Sequence, residues 1–245
     1  MNGLRAGVVS RRCALVALAW ATAPRVLATQ TPSPPAMSIA EQRLFADHHL
    51  RNVRPPTTLH YSYVKAGSLE QGFRDEVRLM LRSAGDGRCC VATGSFLEAH
   101  QRLALPEIDD ARANPVVLYF LEHDVREMHR RTQGSPTYFR KRIRLSLAEA
   151  ATVKDTVIRY QGRELPAQEV CIAPYADDPM RARYPRFAGK QYVFVMAAAA
   201  PGGVVQIRTV LPGAPADTTP VLEEALTLEE ARVDRQAQAT TQPQR

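Results

Sequence analysis

"TLHYSYV" (residues 58–64) and "FRDEVRLMLR" (73–82) decide the fold. In the first, Leu59, Tyr61 and Tyr63 alternate with His60 and Ser62, and Lys65 follows. In the second, Phe73, Val77, Leu79 and Leu81 alternate with Arg74, Glu76, Arg78, Met80 and Arg82, and Asp75 interrupts the apolar parity. Successive side chains on a strand point to opposite faces, so each stretch predicts a strand with one dry and one wet face. The turn "AGDG" leads into a third run, "RCCVATGSF". Runs of this kind joined by tight turns make an antiparallel meander.

Downstream the period changes. Asn114 is a favoured N-cap and Pro115 suits a first helical position. "VVLYFLEHDVREMHRRT" follows, with Val117, Leu121, Val125 and Met128 on one stripe. Arg130 and Arg131 close it, where cations suit the helix dipole. "TYFRKRIRLSLAEA" (137–150) fits a helical stripe through Phe139, Ile143, Leu147 and Ala150, and a strand face through Phe139, Ile143, Leu145 and Leu147. Its "SLAEAA" end favours helix. Strand patterning returns in "TVIRYQGREL" and "QEVCIAPY", a hairpin with Gly162 in its turn. "QYVFVM" (191–196) and "VVQIRTVL" (204–211) make a second, joined through "APGG". The expected class is α+β: a curved, mostly antiparallel, half-barrel-like sheet of about seven strands, with two central helices packed on one side.

The first 28 residues read as an export leader. "MNGLRAGVVSRR" is basic, and "CALVALAWATA" is an apolar run too short for the roughly 20 residues of a membrane span. Small Ala28 precedes the Pro-rich "TQTPSPP". Paired Arg11 and Arg12 admit the twin-arginine route. The predicted organisation is a signal over 1–28, a Pro-rich tether and helix start over 29–43, one α+β domain over 44–212, and a polar tail over 213–245. In "SIAEQRLFADHHL", Ser38 and Glu41 form a capping box at the helix start. "TPVLEEALTLEEARVDRQ" in the tail reads as an exposed helix, and "AQATTQPQR" as disordered. The expected location is periplasmic or secreted, with no transmembrane segment once the signal is removed.

The charge balance follows from the leader. The chain carries 32 Lys and Arg against 25 Asp and Glu, a formal +7. Residues 1–28 hold four arginines and no acid, so 28 basic and 25 acidic residues remain, a net +3. That removes the main support for nucleic-acid binding.

Three cysteines remain beyond the leader: Cys89, Cys90 and Cys171. Cys89 and Cys90 lack the two-residue spacing of a redox or zinc pair, and neighbours on a strand face opposite ways. The expectation is one cysteine inward and one outward, with Cys171 as the disulfide candidate for either. On the central helix, His123 and Glu127 share a face but lack the second histidine of a zinc-binding helix, so no metal and no cofactor is expected. "PYADDPMRARYPRF" (174–187) pairs Asp177 with Asp178, which suits acid–base work or ordinary turn chemistry. Arg126, Arg130, Arg131, Arg140, Lys141, Arg142 and Arg144 put seven cations in 19 residues, with only Glu127 between them to offset the charge. In an envelope such a patch suits an anionic headgroup or an acidic protein face.

A short leading helix, an antiparallel meander and a helical insert over about 44–212 resemble the periplasmic lipoprotein-carrier half-barrels. The same layout is similar to that of exported proteobacterial protein families. The resemblance implies an open sheet that holds acyl chains under helices. It rests on layout, so no site residue is carried over. It supports a non-enzymatic protein that binds an apolar or lipid-like ligand, or a lipid-bearing envelope component. The groove would be lined by Leu59, Tyr61, Tyr63, Val77, Leu79, Leu81, Val193 and Val195; the alternative is that these residues are ordinary core. Two other readings stand beside it: an assembly factor using the basic helical face, and a hydrolase using Asp177, Asp178 and His123. Oligomeric state is left open.

Overall fold

The computed structural model describes residues 36–85, 87, 89–97, 103, 105–213 and 220–234. The predicted leader and the end of the tail lie outside the described residues. A helical turn, α1 (Ile39–Glu41), runs into a π-helical stretch (Gln42–Ala46) and a 3-10 turn (His49–Asn52). Three strands follow: β1 (Thr57–Ala66), β2 (Phe73–Ser83) and β3 (Cys89–Phe96). Helices α2 (Val116–Thr132) and α3 (Pro136–Glu149) come next. The second half is β4 (Thr152–Tyr160), β5 (Arg163–Ile172), β6 (Gln191–Met196), β7 (Val204–Leu211) and β8 (Leu222–Val233). The eight strands form one antiparallel sheet in the order β3-β2-β1-β8-β7-β6-β5-β4. The sheet is open and curved, with α2 over β7 and α3 over β5. Register shifts at His60/Tyr61, Arg82/Ser83 and Val195/Met196 lie where the strands bend, as bulges do.

Local chemistry explains the helix starts. The Glu41 amide donates to Ser38 Oγ at 3.1 Å, and the Ser38 amide donates to Glu41 Oε2 at 2.9 Å, completing the expected capping box. Ser38 Oγ also donates to Leu147 O, tying α1 to the end of α3. α2 starts at Val116, whose amide donates to Asn114 Oδ1. Asn114 Nδ2 donates to Tyr61 Oη and to Gly202 O, both at 2.9 Å. Gly202 has φ +71, and a Cβ there would meet Leu59 Cδ1 at 2.5 Å, so glycine is required at this crossing of turn and strand. Residues 137–149 are helical, with Phe139, Ile143 and Leu147 buried.

Three expectations are corrected. The segment taken for an exposed helix in the tail is β8, in the middle of the sheet between β1 and β7. Its Leu, Glu and Ala are strong helix formers, but burial of Leu222, Leu226 and Leu228 on one face overrides local propensity. The strand count is therefore eight. On β6 the inward parity is Tyr192 and Phe194, both fully buried; Val193, half-buried, pairs with Cys171 and Val195, also buried, with Glu169 on the opposite parity. The run "YVFVM" is apolar at every position, so alternation could not set its phase. The remaining predicted groove residues, Leu59, Tyr61, Tyr63, Val77, Leu79 and Leu81, are each at most 1% exposed, packed into the core under the helices.

The cysteines also differ from expectation. Cys89 and Cys90 sit side by side at the start of β3 with their sulfurs in contact and Cα atoms 3.0 Å apart, and Cys171 on β5 is bridged to neither. Burial and the nearby Glu169 push that thiol up to about 11.

Candidate ligand-binding site

The inner face of the sheet is closed by packing, and its middle is ionic. Asp124 of α2, Lys190 before β6 and Glu224 of β8 are each fully buried. Lys190 Nζ donates to Asp124 Oδ1, and Tyr192 Oη donates to Asp124 Oδ2 at 2.6 Å. Thr209 Oγ1 donates to Glu224 Oε2 at 3.3 Å. Glu224 Oε1 lies 3.6 Å from Arg131 Nη2 and 3.9 Å from Lys65 Nζ, and Glu224 Oε2 lies 3.9 Å from Lys190 Nζ. Burial alone would raise the Glu224 carboxyl; the Lys190, Arg131, His123 and Lys65 charges outweigh it and hold the group below the usual range. The cluster reaches solvent through Glu127 and Glu70. Burial raises both carboxyls, but Arg130, Arg131 and Lys65 pull Glu127 down to about 2, and Lys65 and Arg131 do the same for Glu70. Glu224 is ringed by the chain's own cations and ties the helices to the sheet, while its Oε1 and Arg131 Nη1 have no hydrogen-bond partner among the described residues.

This clamp answers the basic patch. Arg131 is almost wholly buried and bonds Glu70 at 2.8 Å and Glu127 at 2.7 Å. Arg130 shares the same two acids. Arg140 makes a two-pronged pair with Glu122 at 3.0 and 2.9 Å, and Arg126 donates to the same carboxylate at 3.3 Å. Arg142 donates to Pro174 O and lies 3.4 Å from Asp178. Among the described residues, Lys141 and Arg144 alone of the seven are exposed with no ion pair. Glu127 lies within the stretch and Glu122 just before it, but Glu70 and Asp178 come from distant parts of the chain, where a count along the sequence could not find them.

The aspartates and the histidine do not assemble. Asp178 is buried and accepts bonds from Tyr138 Oη at 2.5 Å, Tyr184 Oη and the Met180 amide at 2.7 Å. Burial would raise its carboxyl, but those bonds and Arg142 hold it low, so it fixes the 174–187 loop. Asp177 is exposed. His123 is buried against Phe96, with Nε2 3.1 Å from Tyr63 Oη, and burial lowers its pKa. No hydrogen bond or ion pair among the described residues joins it to either aspartate.

An open apolar surface lies on the other side of the helices. The ends of α1 and its π-helical extension meet α2 and α3 in a groove of about 340 Å³, within the ~300–1,000 Å³ typical of ligand sites. Leu118, Leu121 and Val125 of α2, Ile143 and Leu147 of α3 and Phe45 line its floor. Leu118 is 52% exposed, a large apolar side chain left at the mouth. The rim carries Glu41, Glu122, Arg140 and Arg144. Glu41 is spent on the capping box and Glu122 on Arg140 and Arg126, so Arg144 is the rim charge left without a partner. Leu118 borders the Val117–Leu121–Val125–Met128 stripe, beside Leu121 and Val125, so the helical spacing carries no separate signal for the groove.

Among the described residues, no helix is long and apolar enough to cross a membrane. No protein-family model and no curated protein matches the chain. Among solved structures, the chain is similar to the Mycobacterium tuberculosis lipoprotein LppX, at 11% identity and a TM-score of 0.31, over 72% of this chain and 88% of that one.

Proposed function

We propose that this protein is a non-enzymatic binder of a single-chain amphiphile with an anionic head, seated in the groove between α1, α2 and α3. The carrying observation is an apolar groove in which Leu118 is exposed and Phe45 half-buried over a buried floor, with Arg144 free at its rim. The chain of the ligand would cover Leu118 and Phe45, the side chains with apolar area still in water, recovering ~25 cal/mol per Å² of that area. The head would meet Arg144, with Lys141 one turn back on the same helix. The setting is the cell envelope, on the strength of the leader pattern in residues 1–28. The assembly-factor reading draws less support, because most of the basic face is already neutralised within the chain.

Native mass spectrometry of protein purified from its own envelope tests the proposal. A bound mass that leaves on denaturation, and that is lost in Leu118→Asp and Arg144→Glu, is the expected result. A bare chain in the unsubstituted protein, or a bound mass that both variants retain, overturns it.

A further inference from the structure

The two edges of the sheet are treated differently. β3 is covered: Ala92 exchanges both backbone bonds with Ile108 at 2.9 Å, Phe96 O accepts from Leu103, and Cys90 O accepts from Ala111. β4, at the other end, makes its backbone pairings with β5 alone among the described residues. It runs nine residues with no register shift against β5 and no proline. α1 touches β4, but Val157 is 62% exposed and Arg159 is exposed beside it. A long, regular, uncovered edge with an exposed valine is a template for another strand.

We propose that β4 pairs antiparallel with β4 of a second copy, joining two sheets into one across a twofold axis. The symmetry fixes the possible registers. An antiparallel pair of identical edges has its axis normal to the sheet, so paired residues must share a face and one residue must sit opposite itself. Centring on Asp155 would set two carboxylates together. Centring on Thr156 would put Asp155 against Val157, and centring on Ile158 would put Arg159 against Val157. Centring on Val157 places Asp155 opposite Arg159 twice, with the two exposed valines in contact between them. That register alone matches opposite charges, and it covers the strand's exposed valine with its own symmetry mate. Within one copy Asp155 accepts from Gln168 at 2.9 Å and Arg159 lies 3.7 Å from Glu164, both at exposed positions that leave the outer edge free to pair.

Sedimentation velocity across the micromolar range, on the purified full chain, tests the pairing by charge exchange. Asp155→Arg and Arg159→Asp each set like charges opposite one another, and each should weaken the dimer about tenfold or more. The double variant restores both ion pairs and should restore the dimer. Unchanged far-ultraviolet dichroism in all three keeps the comparison one of association. A monomer at every concentration overturns the proposal, as does a dimer that neither single reversal weakens. A double variant no stronger than the singles also overturns it.

Discussion

Lys190 and Arg144 carry the same formal charge and do opposite work. Lys190 lies in the middle of the molecule against Asp124, roofed by α2, and its neighbours Arg131 and Lys65 close on Glu224. Arg144 stands at the rim of an apolar groove on the outer side of α3 and makes no ion pair among the described residues. The inner cluster locks helices to sheet; the outer groove is where we propose that a ligand binds. The charges that dominate the sequence are therefore mostly fold, and function is assigned to the few the fold leaves unspent.

The two regions should break in different ways. Leu79 is fully buried on the closed face, so Leu79→Asp should cost more than about 4 kcal/mol and abolish cooperative unfolding in urea. A lipid groove on that face would instead tolerate the change. Glu224→Gln leaves Lys190, Arg131 and Lys65 short of their shared acid, and should cost about 3–5 kcal/mol in the same assay. Glu127 and Glu70 have folded pKa values below their ordinary ones, so they stabilise the fold above the ordinary carboxylate range and lose that contribution as pH falls toward about 2. His123 and His49, lowered by burial, add the same sign as pH falls below about 6.5. The urea midpoint should accordingly fall steadily from neutral pH into the acid range. Leu118→Asp and Arg144→Glu, on the outer side, should shift stability by no more than about 0.5 kcal/mol while weakening ligand about tenfold.

The parts legible in the sequence are those where one period speaks without competition. β1 and β2 alternate cleanly because one face is dry and the other wet, and α2 shows its stripe between an Asn-Pro start and an Arg-Arg end. Legibility fails where a polar residue belongs inside. Glu224 sits on the buried parity of β8 with Leu222, Leu226 and Leu228, and its charge hid the alternation behind a helical composition. Asp124 lies on the buried side of α2 for the same reason. Each acid is explained by a cation distant in sequence, and ion pairs of that range leave no spacing to read. The groove leaves no pattern in the sequence because its floor is assembled from three helical segments, whose apolar residues read as ordinary core.

Photolabelling with a diazirine-bearing fatty acid, followed by peptide mapping, tests the central assignment most directly. The label should fall on peptides that contain Leu118, Leu121 and Ile143, and excess unlabelled fatty acid should compete it away. Label concentrated on β1, β2 or β6, or label that no competitor displaces, would contradict the assignment of the ligand to the helical groove.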